Sequence, residues 1–162
     1  MTPNVLDDVD FCIPTYNRAD YVRILLDSLP PCATVHLRDN GSFLSDVDFN
    51  FKGQLNLEQD SSVVGMFENW SRVAQLGGGK WFFLTSDDDL YYENLQAELE
   101  SVLANAPDVG MIVFGHNIID SEGRVLNTWT PESPGLKQGK EVFDSFTYGV
   151  DARMPSILIN RE

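Results

Sequence analysis

The sequence is poor in positive charge. Its 11 Lys and Arg stand against 25 Asp and Glu, for a formal net charge of −14. No Lys/Arg cluster occurs, which removes the electrostatic footprint of a nucleic-acid binder. The same deficit opposes an anionic membrane surface or a free phosphate. A phosphorylated ligand would need a local source of positive potential, either backbone N–H groups or a bound cation. Cysteine is also scarce. Cys12 lies in an apolar run, Cys32 follows Pro30-Pro31, and no Cys-x-x-Cys pattern is present. That usage points to a reducing compartment rather than a disulfide scaffold. No apolar run approaches the roughly 20 residues needed to span a bilayer. The start "MTPNVLDDVD" lacks the basic end and apolar centre of a signal peptide. The expectation is a cytoplasmic protein without a transmembrane segment. Neither repeats nor low-complexity stretches occur, and no Ser/His/Asp or Cys/His nucleophile arrangement is visible. His36 and His116 have no other ligand type nearby and read as structural.

What is present suffices for one domain. The 162 residues are 43% hydrophobic and 11% aromatic, enough for a sizeable core. "VDFCIPTY" is an apolar strand ended by Pro14. "RADYVRILLDSL" is a helix with Tyr21, Ile24, Leu25 and Leu29 on one face, stopped by Pro30-Pro31. "TVHLRD" and "GQLNLEQ" are two further strands, the first running into the turn Asp39-Asn40-Gly41-Ser42. "GMFENWSRVAQLGGG" is a helix with Met66, Trp70, Val73 and Leu76 inward, and Phe67 reads as core as well. "KWFFLTS" is a continuous apolar strand, as a covered parallel sheet requires. "YYENLQAELESVLANAP" is a helix closed by Pro107. "VGMIVFGHNII" is one strand, forming a hairpin with "RVLNTWT" across "DSEG". "PESPGLKQGK" is a loop, "EVFDSFTYGV" a short helix and "PSILIN" a last strand. This alternation implies an α/β fold, a Rossmann-like three-layer sandwich with a mostly parallel central sheet.

Ligands of such sheets bind at the carboxyl ends of the strands. Three polar clusters fall there: "PTYNR" (Pro14 to Arg18), "DNGS" (Asp39 to Ser42) and "SDDD" (Ser86 to Asp89). Two or three carboxylates at one spot make an oxygen cage for Mg²⁺ or Mn²⁺. In an extended segment Asp87 and Asp89 would share a side and Asp88 would point away, unless the chain turns there. The alternative is that an Asp caps the following helix. Asn17 suits an N-cap, while Tyr16 offers a face on which a base can stack. "GGGK" is not a P-loop. Ala74 stands at the first Gly position of that pattern, Trp81 replaces the required Ser or Thr, and the segment leads into a strand. It reads as a helix stop and turn.

The runs "CIPTYNRADYVRILLDSL", "RDNGS" and "VGMFENWSRVAQLGGGKWFFLTSDDDLYYENL" together resemble, in order and spacing, the family 2 glycosyltransferases of the type-A fold. The resemblance covers residues 9 to about 120. It implies a nucleotide-diphospho-sugar donor (UDP-, GDP- or dTDP-sugar), a divalent cation (Mn²⁺ or Mg²⁺), and a saccharide or lipid-linked acceptor. It also implies inverting transfer in bacterial surface polysaccharide or glycoconjugate synthesis. Donor contacts are implied for Pro14, Thr15, Tyr16, Asn17 and Arg18, for Asp39 at the base, for Asn69 and Arg72, and for Asp87 and Asp88. The metal is implied within Asp87, Asp88 and Asp89.

The sequence departs from the family at two places. Thr85 stands where many members keep a further acid, and Glu68 where many keep Arg. The resemblance further implies a single domain over 1–162, with 9–120 as the donor-binding half and 121–162 as the start of an acceptor half. "MPSILINRE" is similar to the stretch before the family's catalytic carboxylate. No residue here is assigned as general base, which is expected beyond Glu162. A fragment of a longer enzyme and a donor-binding relic are both consistent with that. Two other readings stay open: a non-catalytic nucleotide- or calcium-binding module, and a sugar-1-phosphate nucleotidyltransferase. The latter would want a Gly-rich basic loop where "PTYNR" stands.

Overall fold

Seven consecutive buried residues, Val9–Thr15, form strand β1. A strand buried on both faces needs neighbours on both edges, and β1 has them. It pairs in parallel with β2 (Thr34–Asn40) on one side and β4 (Trp81–Leu84) on the other. The computed structural model describes residues 5–131, 134–146 and 152–162. In it a six-stranded, mostly parallel sheet runs β3-β2-β1-β4-β8-β5, with β3 Gln54–Asp60, β5 Met111–Val113 and β8 Ile157–Asn160. The last strand, β8, inserts antiparallel between β4 and β5. The chain moves outward from β1 to β2 and β3, then crosses to β4 on the far side of β1. The point where the strand order reverses therefore lies between β1 and β4, where open α/β sheets form a crevice at the strands' carboxyl ends.

Helix α1 (Ala19–Ser28) buries Val22, Leu25 and Leu26, with Leu29 just beyond it. These positions form an i, i+3, i+4, i+7 stripe. Tyr21 and Ile24, expected on that face, lie off the stripe and are exposed. The expected cap at Asn17 is also corrected. Asn17 adopts φ 53° and Arg18 occupies the N-cap position without a side-chain capping bond. Asn tolerates that left-handed conformation better than most residues, so Asn17 turns the chain.

Helix α2 (Met66–Ala74) buries Asn69 and Val73. Trp70 and Leu76 pack partly buried around Val73, Cys12 and Leu84. Met66 and Phe67 do not point inward. Phe67 is 83% exposed, because the buried stripe is set by Asn69 and Val73 one turn on. Helix α3 is Leu95–Asn105. The main core joins α1 and α3 to the sheet, with Phe11 stacked on Phe83 at 5.3 Å and Tyr91 edge-on to Phe11.

The stretch expected as one strand after α3 is two. β5 ends at Val113, and β6 (His116–Ile119) leaves the main sheet to pair with β7 (Val125–Trp129). Gly115 makes the break: a Cβ there would lie 3.1 Å from the Trp129 carbonyl oxygen. Helix α4 covers Gly139–Phe146. Residues 147–150 of the expected helix, and 132–133 of the loop before it, lie outside the described residues. No described helix is long and apolar enough to cross a membrane. Cys12 and Cys32 form no disulfide with each other.

Candidate donor site at the carboxyl ends of the strands

Thr15 ends β1 and pairs in register with Asp39 of β2. Thr15 Oγ1 donates to Asp87 Oδ2 at 2.6 Å. Arg18 Nη1 lies 3.0 Å from Asp87 Oδ1 and 3.1 Å from Asp88 Oδ2. The turns after β1 and β4 are thus locked together at the switch point. The Asp87 bond raises the Arg18 guanidinium above its usual basicity, with Asp88 adding to it.

The chain turns at Asp87-Asp88, so the alternation expected of an extended segment does not apply. Ser86 Oγ donates to Asp88 Oδ1 at 2.6 Å, and the Ser86 N–H donates to Asp89 Oδ2 at 3.2 Å. Asp89 closes the turn on itself. Burial, with the Asp88 charge second, pushes its carboxyl up to about 6. The capping alternative fails on position, because α3 begins only at Leu95 and its N-cap residue is Asn94.

These contacts decide which carboxylates suit a divalent cation. Among the described residues, no three His, Cys, Asp or Glu side chains converge on a ready cage. One cationic nitrogen, that of Arg18, already sits between Asp87 and Asp88. Mg²⁺ and ions like it usually take one or two carboxylates and complete their shell with phosphate oxygens and water. The Asp87–Asp88 pair fits such an ion in place of the guanidinium. Asp89 instead accepts from the Ser86 N–H through its Oδ2.

Asp39 is fully buried at the end of β2. Its Oδ2 accepts from the Leu44 N–H at 2.7 Å and from Gln59 Nε2 at 3.0 Å. Its Oδ1 is buried without a hydrogen-bond partner among the described residues. An unpaired buried acceptor is costly and calls for a donor group. Tyr16 is 51% exposed and meets Phe43 edge-to-face at 5.0 Å. Phe43 and Gln59 carry no signal in sequence order alone. Phe43 folds back from the loop after β2, and Gln59 reaches Asp39 only through the β2–β3 register.

The other expected residues lie further along the same edge. Asn69 is buried on α2 with its Oδ1 unpartnered. Arg72 bonds Asp60 at 3.0 Å and also Glu68. Buried Arg38 shares Asp60 and is bonded to Glu58. Among the described residues, no hydrogen bond joins Arg72 or Asn69 to the Thr15–Arg18–Asp87–Asp88 group. Thr85 is fully buried and shares a 2.6 Å hydrogen bond with Tyr91, whose hydroxyl donates to the Pro155 carbonyl. The position is committed to the core.

No family model matches the chain. No curated protein sequence matches it either. Solved structures do. S. aureus TarS 1-349 superposes with a TM-score of 0.61 at 14% identity, over 94% of this chain and 47% of that one. A longer S. aureus TarS structure gives 0.62 at 14% identity, over 94% of this chain and 28% of that one. TarS 1-349 in complex with UDP-GlcNAc gives 0.56 at 14% identity, over 94% and 45%. The chain spans less than half the length of each of these TarS structures. The likeness shows that the chain has a glycosyltransferase-like α/β fold.

Proposed function

We propose that the chain binds the nucleotide part of a nucleotide-diphospho-sugar and serves sugar transfer from it to a saccharide or lipid-linked acceptor in the cytoplasm. The observation that carries this reading is the convergence of Thr15, Arg18, Asp87 and Asp88 at the strand-order reversal, beside Asp39 with its unpartnered oxygen. The likeness to TarS solved with UDP-GlcNAc supports the same reading. UDP is accordingly the first nucleotide to try, ahead of GDP and dTDP.

Each residue has a role that its chemistry allows. Tyr16 and Phe43 present faces to a base. Asp39 Oδ1 accepts a base N–H, which relieves its unpaired burial. Arg18 offers a planar fork to phosphate oxygens. A Mn²⁺ or Mg²⁺ ion held by Asp87 and Asp88 would stabilise the charge on the departing nucleoside diphosphate. Transfer is inverting in this reading, with a carboxylate taking the acceptor's proton. That carboxylate is not assigned to any residue here. Residues 9–120 form the donor-binding half and 121–162 begin the acceptor half.

The test is a thermal-shift panel of UDP, GDP, dTDP and their sugars, with and without Mn²⁺. A nucleotide at a hundredfold excess over its dissociation constant adds about 2.7 kcal/mol. The expected result is a cation-dependent shift for one nucleotide, lost in Asp88→Asn. No shift with any member of the panel would overturn the reading.

A further inference from the structure

Among the described residues, Arg18 is the one side chain that bonds two of the adjacent aspartates. Its Nη1 reaches Asp87 Oδ1 and Asp88 Oδ2 at 3.0 and 3.1 Å. Asp87 is buried and fixed from its other oxygen by Thr15. Apart from these two carboxylate bonds, the arginine is held at its root. Its carbonyl accepts the first backbone bond of α1, from the Val22 N–H at 3.1 Å. Its side chain is about half exposed, and the Tyr21 ring lies 5.6 Å from the guanidinium carbon. The end of this arm can therefore leave the carboxylates while keeping an aromatic face.

From this geometry, and resting on the divalent-cation reading above, we infer that Arg18 is the resident placeholder cation of the donor site. Its guanidinium holds Asp87 and Asp88 until a divalent ion takes those carboxylates, and it then passes to the diphosphate.

Charge argues for the exchange. Asp87, Asp88 and one guanidinium leave one negative charge in excess, and the neighbouring Asp89 carboxylate adds to it, in a chain whose formal net charge is −14. That state repels a diphosphate. A divalent ion in the guanidinium's place neutralises the pair, and the freed guanidinium offsets the Asp89 carboxylate. The ion and the guanidinium cannot share the gap, because like charges a few ångströms apart repel. Binding of the ion thus cancels the local negative excess and releases a fork that matches phosphate oxygens.

The experiment measures Mn²⁺ binding to the full chain by electron paramagnetic resonance, without nucleotide, for the wild type, Arg18→Gln and Arg18→Lys. UDP is then titrated at saturating Mn²⁺. Ion pairs with a half-exposed partner are weak, so Arg18→Gln should bind Mn²⁺ only about twofold to fivefold more tightly than the wild type. The same variant should bind UDP about tenfold or more weakly. Arg18→Lys, which keeps the charge without the fork, should hold the wild-type Mn²⁺ affinity and lose part of the UDP affinity. Effects of opposite sign on ion and nucleotide are not what a damaged fold produces. Equal or weaker Mn²⁺ binding by Arg18→Gln would overturn the placeholder role and leave the cation site standing. Absence of Mn²⁺ binding in every protein, with or without UDP, would overturn the cation reading itself and this inference with it.

Discussion

Oγ1 of Thr15 donates a 2.6 Å hydrogen bond to Oδ2 of Asp87, joining the tip of β1 to the turn after β4 across 72 positions of sequence. Both residues are buried. The bond fixes the carboxylate on which Arg18 also closes. Thr15→Val keeps the shape of the side chain and removes the donor, leaving a buried anionic acceptor short of a partner. That is expected to cost about 1–3 kcal/mol of stability and to weaken nucleotide binding. Thr15→Ser should retain most of both. Urea unfolding and UDP titration of the two variants measure this. If Thr15→Val unfolds at the wild-type midpoint, the bond is not what joins the two turns.

Phe43 gives the second prediction. Its ring meets Tyr16 edge-to-face, and both side chains are about half exposed. An exposed aromatic pair contributes little to folding, so truncating it should spare stability. As walls of a base slot the rings should matter to binding. Phe43→Ala and Tyr16→Ala are each expected to weaken UDP binding several-fold, corresponding to about 0.5–1.5 kcal/mol of ring contact. Their melting temperatures should stay near the wild-type value. Unchanged UDP affinity in both variants would place the base elsewhere.

These residues mark the boundary of what the sequence discloses. β1 and β4 are legible as apolar runs because a strand covered on both faces has no polar side to show. The clusters at Thr15, Asp39 and Asp87 are legible as candidate sites because polar residues directly after such runs must sit at the strands' carboxyl ends. The faces of α1 and α2 are less legible. Tyr21, Ile24, Met66 and Phe67 are apolar but exposed, and hydrophobicity alone cannot say that a neighbouring stripe wins. Gln59 and Phe43 depend on register and on a loop folding back, which no local spacing encodes. The pairing of Arg18 with Asp87 and Asp88 depends on the strand order, since only adjacency of β1 and β4 brings them together.

The Gly-rich turn after α2 yields a third prediction, at the opposite end of the sheet. Gly77 has φ +83°, and a Cβ there would lie 2.2 Å from Asp10 Oδ2 and 2.7 Å from His36 Nε2. Gly78 faces open space. Gly77→Ala combines a left-handed backbone with a clash against buried polar atoms, so it should destabilise the fold by about 2 kcal/mol or more. Gly78→Ala is expected to stay within about 0.5 kcal/mol of the wild type. Thermal melts of the pair check this, and similar melting temperatures would mean that the turn relaxes to admit the methyl group.

The same turn gives Asp10 a pH dependence whose sign follows from its partners. Burial alone would raise the Asp10 carboxyl. The bond to His36 at 3.2 Å, the Gly79 N–H at 2.9 Å and the His36 and Arg161 charges outweigh burial and hold it below the ordinary carboxylate value. A carboxyl lowered in the folded state binds its proton more readily when unfolded, so stability falls as pH drops. Asp10's contribution is complete above the unfolded value, near pH ~4. It is lost as pH falls through the lower folded value. Asp10→Asn removes the charge and should cost about 1.5–3 kcal/mol at neutral pH, the range of a charged hydrogen bond. The gap between the two proteins should narrow as pH falls below ~4, where Asp10 takes up its proton. Chemical unfolding across that range measures it. A gap that stays constant down to pH ~2 would mean that the Asp10 charge contributes nothing and that only packing was disturbed. A gap that goes on growing below pH ~4 would reverse the sign of the linkage, and with it the claim that His36, Gly79 and Arg161 stabilise the ionised form.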